Sequence, residues 1–214
     1  MMEEAELKEE RISKVRDIKS EHILDAALEV FSKKGIYEAR LEDIAAEAGF
    51  SKASLYNYYP NKEAIILSLT TREWFGFIDA LNNSQEHGIS QDLPFSENMR
   101  RYLHLSFKIF GKHFHFIANI NFLKFINATS ENESLIGKLT ELRKYRYQNG
   151  ILKVVKWAKE KNEIVSEIPD LSLCRFVDAA IIGTYHDWIH EKKIGDIEKT
   201  TDNLCKLLMN GMKG

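Results

Sequence analysis

The sequence predicts an all-α protein, and three observations carry that expectation. Apolar residues recur at the i, i+3, i+4, i+7 spacing of a helix face along most of the chain, and no segment sustains a period of two. There are three prolines in 214 residues, Pro60, Pro94 and Pro169, and each falls where the periodicity breaks. Proline cannot continue a helix, so this spacing leaves room for long uninterrupted ones. Composition agrees: 44% apolar and 29% charged residues are ordinary for a soluble globular chain long enough to bury a sizeable core.

Residues 1–16 are charged, with alternating sign. They form either a flexible leader or an extension of the first helix. From Asp17, the positions Ile23, Leu24, Ala27, Leu28, Val30 and Phe31 mark an amphipathic helix that stops at Gly35. Leu41, Ile44, Ala45 and Ala48 mark a second. Gly49 supplies its stop, because a left-handed backbone costs glycine nothing. Ser51 can cap a third, short helix. In that helix Leu55 and Tyr59 share the inward face. Lys52, Ala53, Ser54, Tyr56 and Asn57 lie on or beside the opposite one. A helix this short cannot stand alone. Held by its neighbours with its outer face free, it has the arrangement of a helix-turn-helix, whose second helix enters the DNA major groove.

Pro60 ends this unit and Asn61 caps the next helix, Lys62 to Asn82, which carries Trp74, Phe77, Ile78 and Leu81 on one face. An aromatic cluster occupies residues 96–127. Residues 133–162 read as a long helical pattern interrupted by Gly150. Leu171 to Ile189 is apolar on nearly every side, which suggests a subunit interface as well as a core. A last helix, Asp196 to Met212, adds Ile197, Leu204, Leu208 and Gly211. The organisation expected is a leader (1–16), a DNA-binding domain (17–64) and a helical effector-binding and dimerisation domain (65–214).

The segments FSKKG (31–35), LEDIAAEAG (41–49) and SKASLYNYYPNKE (51–63) resemble the tetracycline-repressor (TetR) family of bacterial transcription regulators. The most specific part is Leu-Tyr, then Tyr-Tyr, then Lys-Glu at fixed offsets. The resemblance covers about residues 17 to 65. Where that family usually has a capping Thr before its second helix, this chain has Ala39-Arg40. The resemblance implies a ligand-sensing regulator whose last two long helices pair with their copies in a dimer.

The DNA-contact candidates are Arg40, Ser51, Lys52, Ala53, Ser54, Tyr56, Asn57, Tyr58 and Lys62. Asn57 has the two-sided hydrogen bonding that reads adenine, and the Ala53 methyl suits thymine. Arg40 can hold phosphate by charge, and by resemblance Tyr56, Tyr58 and Lys62 contact phosphate. Lys62 also opens a helix, whose N–H groups favour an anion. Charge partly opposes this reading: residues 1–70 carry ten Lys/Arg and fourteen Asp/Glu, a net of −4. Local sign decides phosphate contact, however, and Lys33, Lys34, Arg40, Lys52 and Lys62 all fall near the expected face. Candidates for an effector pocket, with core packing as the alternative, are Tyr102, Phe107, Phe110, Phe114, Phe122, Phe125, Trp157 and Tyr185.

His186 and His190 have the i, i+4 spacing of a helical zinc pair, but no third ligand stands near, and a structural or interface role is expected. Cys174 and Cys205 have no metal or redox spacing and read as reduced thiols. No catalytic order or phosphate-cradling glycine loop stands out, so no enzyme activity, metal or cofactor is expected. No run approaches the ~18 apolar residues of a membrane span, and MMEEAELKEER lacks an apolar signal core. A cytoplasmic location is therefore expected. The expected function is a ligand-responsive repressor that binds a palindromic DNA operator as a homodimer through Leu171–Ile189 and Asp196–Met212. A small apolar or amphipathic effector of unknown identity releases it. The alternative is a helix-turn-helix protein acting as activator, nucleoid-associated protein or protein-binding adaptor.

Overall fold

A computed structural model describes residues 2–113, 116, 133–164, 167–191 and 193–212. Every regular element among them is helical. In chain order they are α1 (Met2–Glu38), α2 (Leu41–Glu47), α3 (Lys52–Tyr56), α4 (Lys62–Asn83), α5 (Phe95–Phe110), a 3-10 turn (Gly111–His113), α6 (Glu133–Asn149), α7 (Ile151–Glu160), α8 (Asp170–Glu191) and α9 (Ile197–Met212). The chain divides into two compact units, Met1–Leu69 and Thr70–Gly214, with the division inside α4.

In the first unit α1 is longer than the sequence pattern required. Residues 2–16 continue it as helix, the extension alternative for the charged leader. Its regular course breaks at Gly35 (φ 78°, ψ 160°), where the periodicity stops. Ile23, Leu24, Ala27 and Phe31 are buried on the inward face of α1, which packs on α2, and α2 packs on α3; Ile44 and Ala45 of α2 and Leu55 of α3 are buried as well. Both caps of the turn between α2 and α3 form. Phe50 N–H reaches the Ala45 carbonyl (2.8 Å) and Gly49 N–H the Ala46 carbonyl (3.1 Å), a Schellman closure with Gly49 at φ 68°. A Cβ on Gly49 would meet nothing within 4 Å, so backbone conformation rather than space demands glycine here.

The second unit is built on α5, which packs against α7, α8 and α9. Tyr102, Leu103, Phe107 and Phe110 line its buried side. Asn98, itself buried, shapes the approach to α5. Its Oδ1 accepts from Ser90 N–H (2.9 Å) and its Nδ2 donates to the Ser90 carbonyl (2.8 Å). Gly150 separates α6 from α7 as expected. A Cβ there would lie 3.3 Å from the Tyr102 ring and 2.9 Å from the Arg146 carbonyl, so this is a close approach of backbone to core. Asn82, near the end of α4, donates to the Asn149 carbonyl (3.1 Å) and accepts from Lys153 Nζ (2.8 Å), which ties α4 to the α6–α7 junction. Leu171–Ile189, expected to be buried all round, is two-faced. Leu173, Val177, Ile181, Tyr185 and Trp188 are buried, while Leu171, Phe176, Ala179 and Gly183 are exposed.

Candidate nucleic-acid interface

Local chemistry sets α3. Its N-cap Ser51 accepts the Ser54 N–H on its hydroxyl (3.1 Å), and the two hydroxyls lie 2.8 Å apart. The helix closes at Tyr56, so Asn57 stands at its C-cap, still in helical conformation (φ −69°, ψ −19°). Leu55 and Tyr59 point inward, and the Tyr59 hydroxyl lies 2.6 Å from Ser20 Oγ. Phe50 packs edge-on against Tyr58 (5.9 Å, 82°) and near His22 (6.3 Å), which fixes the turn. Lys52, Ala53, Tyr56 and Asn57 are left exposed on one short surface, with Ser54 and Tyr58 half-buried at its edge. Asn57, with two donors and an acceptor and open to solvent, has what a base edge requires.

The electrostatics differ from a simple basic patch. Lys52 Nζ lies 2.5 Å from Glu42, Lys34 Nζ 2.7 Å from Asp43, and Lys33 Nζ is shared between Glu29 (3.6 Å) and Glu47 (3.7 Å). The hydrogen bond and charge of Lys52 hold the Glu42 carboxyl below its usual range, and Glu42 raises the Lys52 ammonium in turn. Asp43 is likewise lowered, by Lys34 first and then by the Arg40 N–H. That second contact (3.0 Å) caps α2. The Arg40 side chain has no acceptor to offer a cap, so the bond that an N-cap hydroxyl would accept from within α2 is not made; Asp43 supplies only the reciprocal half, and Arg40 is exposed. These pairs lie in water, where such contacts are weak, and an approaching phosphate can exchange with the carboxylate.

Lys62 departs from expectation. Its ammonium donates to the carbonyls of Ile36 (2.8 Å), Ala39 (3.1 Å) and Tyr37 (3.3 Å). All three of its N–H donors are therefore taken. It closes the end of α1, across the break at Gly35, instead of reaching outward to phosphate. The cap of α4 comes from Asn61, whose Oδ1 accepts the Ala64 N–H (2.8 Å).

In the second unit, five of the residues expected near an effector are described. Tyr102, Phe107, Phe110 and Tyr185 are buried, and Trp157 on α7 is half-buried. Phe114, Phe122 and Phe125 lie outside the described residues. The rings form two linked sets that sequence reasoning had not joined. Phe77 of α4 sits 5.5 Å from Tyr102 and 5.2 Å from Phe110, and Phe107 sits 5.8 Å from Tyr185 and 5.4 Å from Trp188. Beside them is a buried charge pair that the sequence reading passed over. Arg146 Nη2 lies 2.5 Å from Asp178 Oδ1, and the Tyr147 hydroxyl donates to Asp178 Oδ2 (2.8 Å). The Arg146 guanidinium also covers the Trp74 ring at 5.3 Å. One signal was available: Asp178 is the one acid in the run LSLCRFVDAAIIG, and an acid on a core helix needs a cation. Both cysteines are free and buried, and burial pushes the Cys174 thiol up to about 12. Among the described residues, no three potential ligands gather as a metal site, and no helix is long and apolar enough to cross a membrane.

Comparison with known proteins places this geometry. Over 194 residues the chain is 25% identical to the fatty acid metabolism regulator protein of Bacillus subtilis, covering 89% of this chain and 93% of that one. Over 57 residues it is 44% identical to the HTH-type transcriptional regulator RutR of Escherichia coli, 27% of each chain. Among solved structures, the transcriptional regulator FadR from Bacillus subtilis in complex with stearoyl-CoA superposes with a TM-score of 0.73 at 22% identity, covering 89% of this chain and 97% of that one. Residues 23–69, which hold most of the helix-turn-helix unit, match the family of bacterial regulatory proteins called the tetR family. The helix-turn-helix region of this chain therefore matches the tetR family of bacterial regulatory proteins, and the chain as a whole is similar to regulators of that kind.

Proposed function

We propose that the protein is a transcriptional repressor that binds a palindromic operator as a homodimer and is released from it by a long-chain fatty acyl-CoA. The observation that carries the DNA reading is the outward face of α3. Lys52, Ala53, Tyr56 and Asn57 stand clear of the core, while Leu55 and Tyr59 anchor the helix beneath them. The effector class draws on the relatives. One that matches nearly end to end is a fatty acid metabolism regulator, and a solved relative is a complex with stearoyl-CoA. An acyl chain asks for an apolar, aromatic lining. Tyr102, Phe107, Phe110 and Tyr185, joined by Phe77 and Trp188, supply residues of that kind in the second unit.

Residues 17–64 read DNA on this proposal, and residues 65–214 hold the effector and the second subunit. The pairing surface is the exposed side of α8 (Leu171, Phe176, Ala179, Gly183) with α9, where Leu207 is exposed. A two-fold axis needs a self-complementary patch, and a palindrome needs two copies of α3 at matched spacing. The effector acts only by binding one arrangement of the protein better than the other. The protein works where its operator is, in the cytoplasm. Fluorescence anisotropy with a duplex from the DNA upstream of the protein's own coding sequence tests the DNA reading. Affinity should fall steeply between 50 and 200 mM salt, with a log–log slope of several phosphate contacts, and a scrambled duplex should bind more weakly by ~10³ or more. Equal affinity for both duplexes would instead mark a non-specific binder.

A further inference from the structure

We propose that the N-terminal extension of α1 forms, with α3, a groove that holds a second stretch of the DNA backbone, so that each subunit grips the duplex beyond its recognition helix. This rests on the DNA-binding reading and adds to it a face of α1 that reading does not use. The groove has a volume of about 640 Å³ and is lined by Arg11, Ile12, Val15, Arg16 and Lys19 of α1 on one side. The other side is Phe50 of the turn with Ser54, Asn57 and Tyr58 of the candidate interface. It is therefore continuous with the surface that reads bases.

Charge identifies the occupant. At 100° per residue, the five lining positions of α1 fall within an arc of about 140°. Those positions hold two arginines, a lysine and no acid. The acids of the same stretch fall on the opposite side: Glu10, Asp17 and Glu21 cluster there, and Glu10 is engaged by Lys14 at 2.7 Å. The chain thus concentrates positive charge in the groove although residues 1–70 total −4. The lining face also continues, one turn further on, into the buried face formed by Ile23, Ala26 and Ala27. A helix face that is core at one end and open at the other, and that changes from Ala and Ile to Arg and Lys where it opens, fits a polyanion. Ile12 and Val15, 59% and 50% exposed, lie between the cations and offer apolar contact to a sugar edge. A DNA strand presents that alternation of phosphate and deoxyribose.

Phosphate contacts of this kind carry no base information. They add affinity, and each adds about 0.9 to the slope of log affinity against log salt. The test uses the full chain with Arg11→Ala, Arg16→Ala and Lys19→Ala combined, against wild type and against Lys14→Ala on the opposite face. A duplex extended past the α3 footprint is titrated at several salt concentrations. The expected result is a slope shallower by roughly 2–3 per subunit in the triple variant, an unchanged ratio between operator and scrambled duplex, and a wild-type slope for Lys14→Ala. Circular dichroism verifies that the variant keeps its helix. A triple variant with the wild-type slope overturns the proposal, while wild-type binding to the operator leaves the DNA reading standing. A wild-type slope together with a changed sedimenting mass assigns the groove to protein contact and overturns it as well. No binding of any duplex by wild type sinks the DNA reading itself.

Discussion

Asp178 and Lys62 are single side chains on which much of each unit's local order depends. Asp178 accepts from both Arg146 and the Tyr147 hydroxyl inside the second unit. Removing one partner of a buried pair strands the other charge without water. Asp178→Ala should therefore cost about 3–5 kcal/mol, read as a lowered denaturation midpoint. Arg146→Met with Asp178→Leu should recover most of that loss, because the stranded charge is gone. If the single and double variants are equally destabilised, the pair is not what holds α6 to α8. Lys62 donates to three carbonyls at the end of α1. Lys62→Met leaves them unsatisfied and should cost about 1–3 kcal/mol with no change in the salt slope of DNA binding. A slope that falls by about one with stability intact would restore the phosphate role the sequence suggested.

At the scale of elements, α3 is a five-residue helix whose position is set from outside it. Gly49, Ser51, Leu55 and Tyr59 fix its start, its turn and its inward side, and all four were legible in the sequence because the chemistry is local. A glycine that must adopt positive φ and a serine that must cap declare themselves within a few positions. Arg146 was passed over and Lys62 was read as a phosphate contact because their partners lie 32 and 26 positions away, and periodicity carries no information about such pairs. The extension of α1 was ambiguous for a different reason. Its charges alternate along the sequence, and only winding them on a helix separates Arg11, Arg16 and Lys19 from the acids. The prediction at this scale is base readout. Asn57→Ala should cost about 1–3 kcal/mol on the operator, relax specificity at one position per half-site, and leave the salt slope alone. Unchanged discrimination among operator variants would show that a different face of α3 meets the bases.

At the scale of the whole molecule, assembly and effector control rest on surfaces that one chain leaves unfinished. Phe176 is 59% exposed and Leu207 is 70% exposed, both on helices whose other sides are core. Phe176→Glu or Leu207→Glu should produce monomers in sedimentation equilibrium that retain their helix content and lose the palindromic operator. Dimers of normal mass from both variants would move the pairing surface elsewhere. The order of most of the described helices was legible from periodicity and three prolines, although residues 133–162 were read as one pattern interrupted at Gly150 and the stretch holding α5 only as an aromatic cluster. The effector was not, because a lining assembled from α4, α5 and α8 leaves no contiguous pattern, and aromatic residues serve core and pocket alike. On the proposed mechanism an acyl-CoA and the operator compete through one protein. The direct measurement is a titration of the preformed operator complex with stearoyl-CoA, with free CoA as control, following DNA release and protein mass together. The expected coupling is about 1–3 kcal/mol, a 5–150-fold weakening of DNA binding, with the operator weakening stearoyl-CoA by the same factor and the dimer mass unchanged. A complex that holds its operator undiminished at saturating stearoyl-CoA would rule that mechanism out.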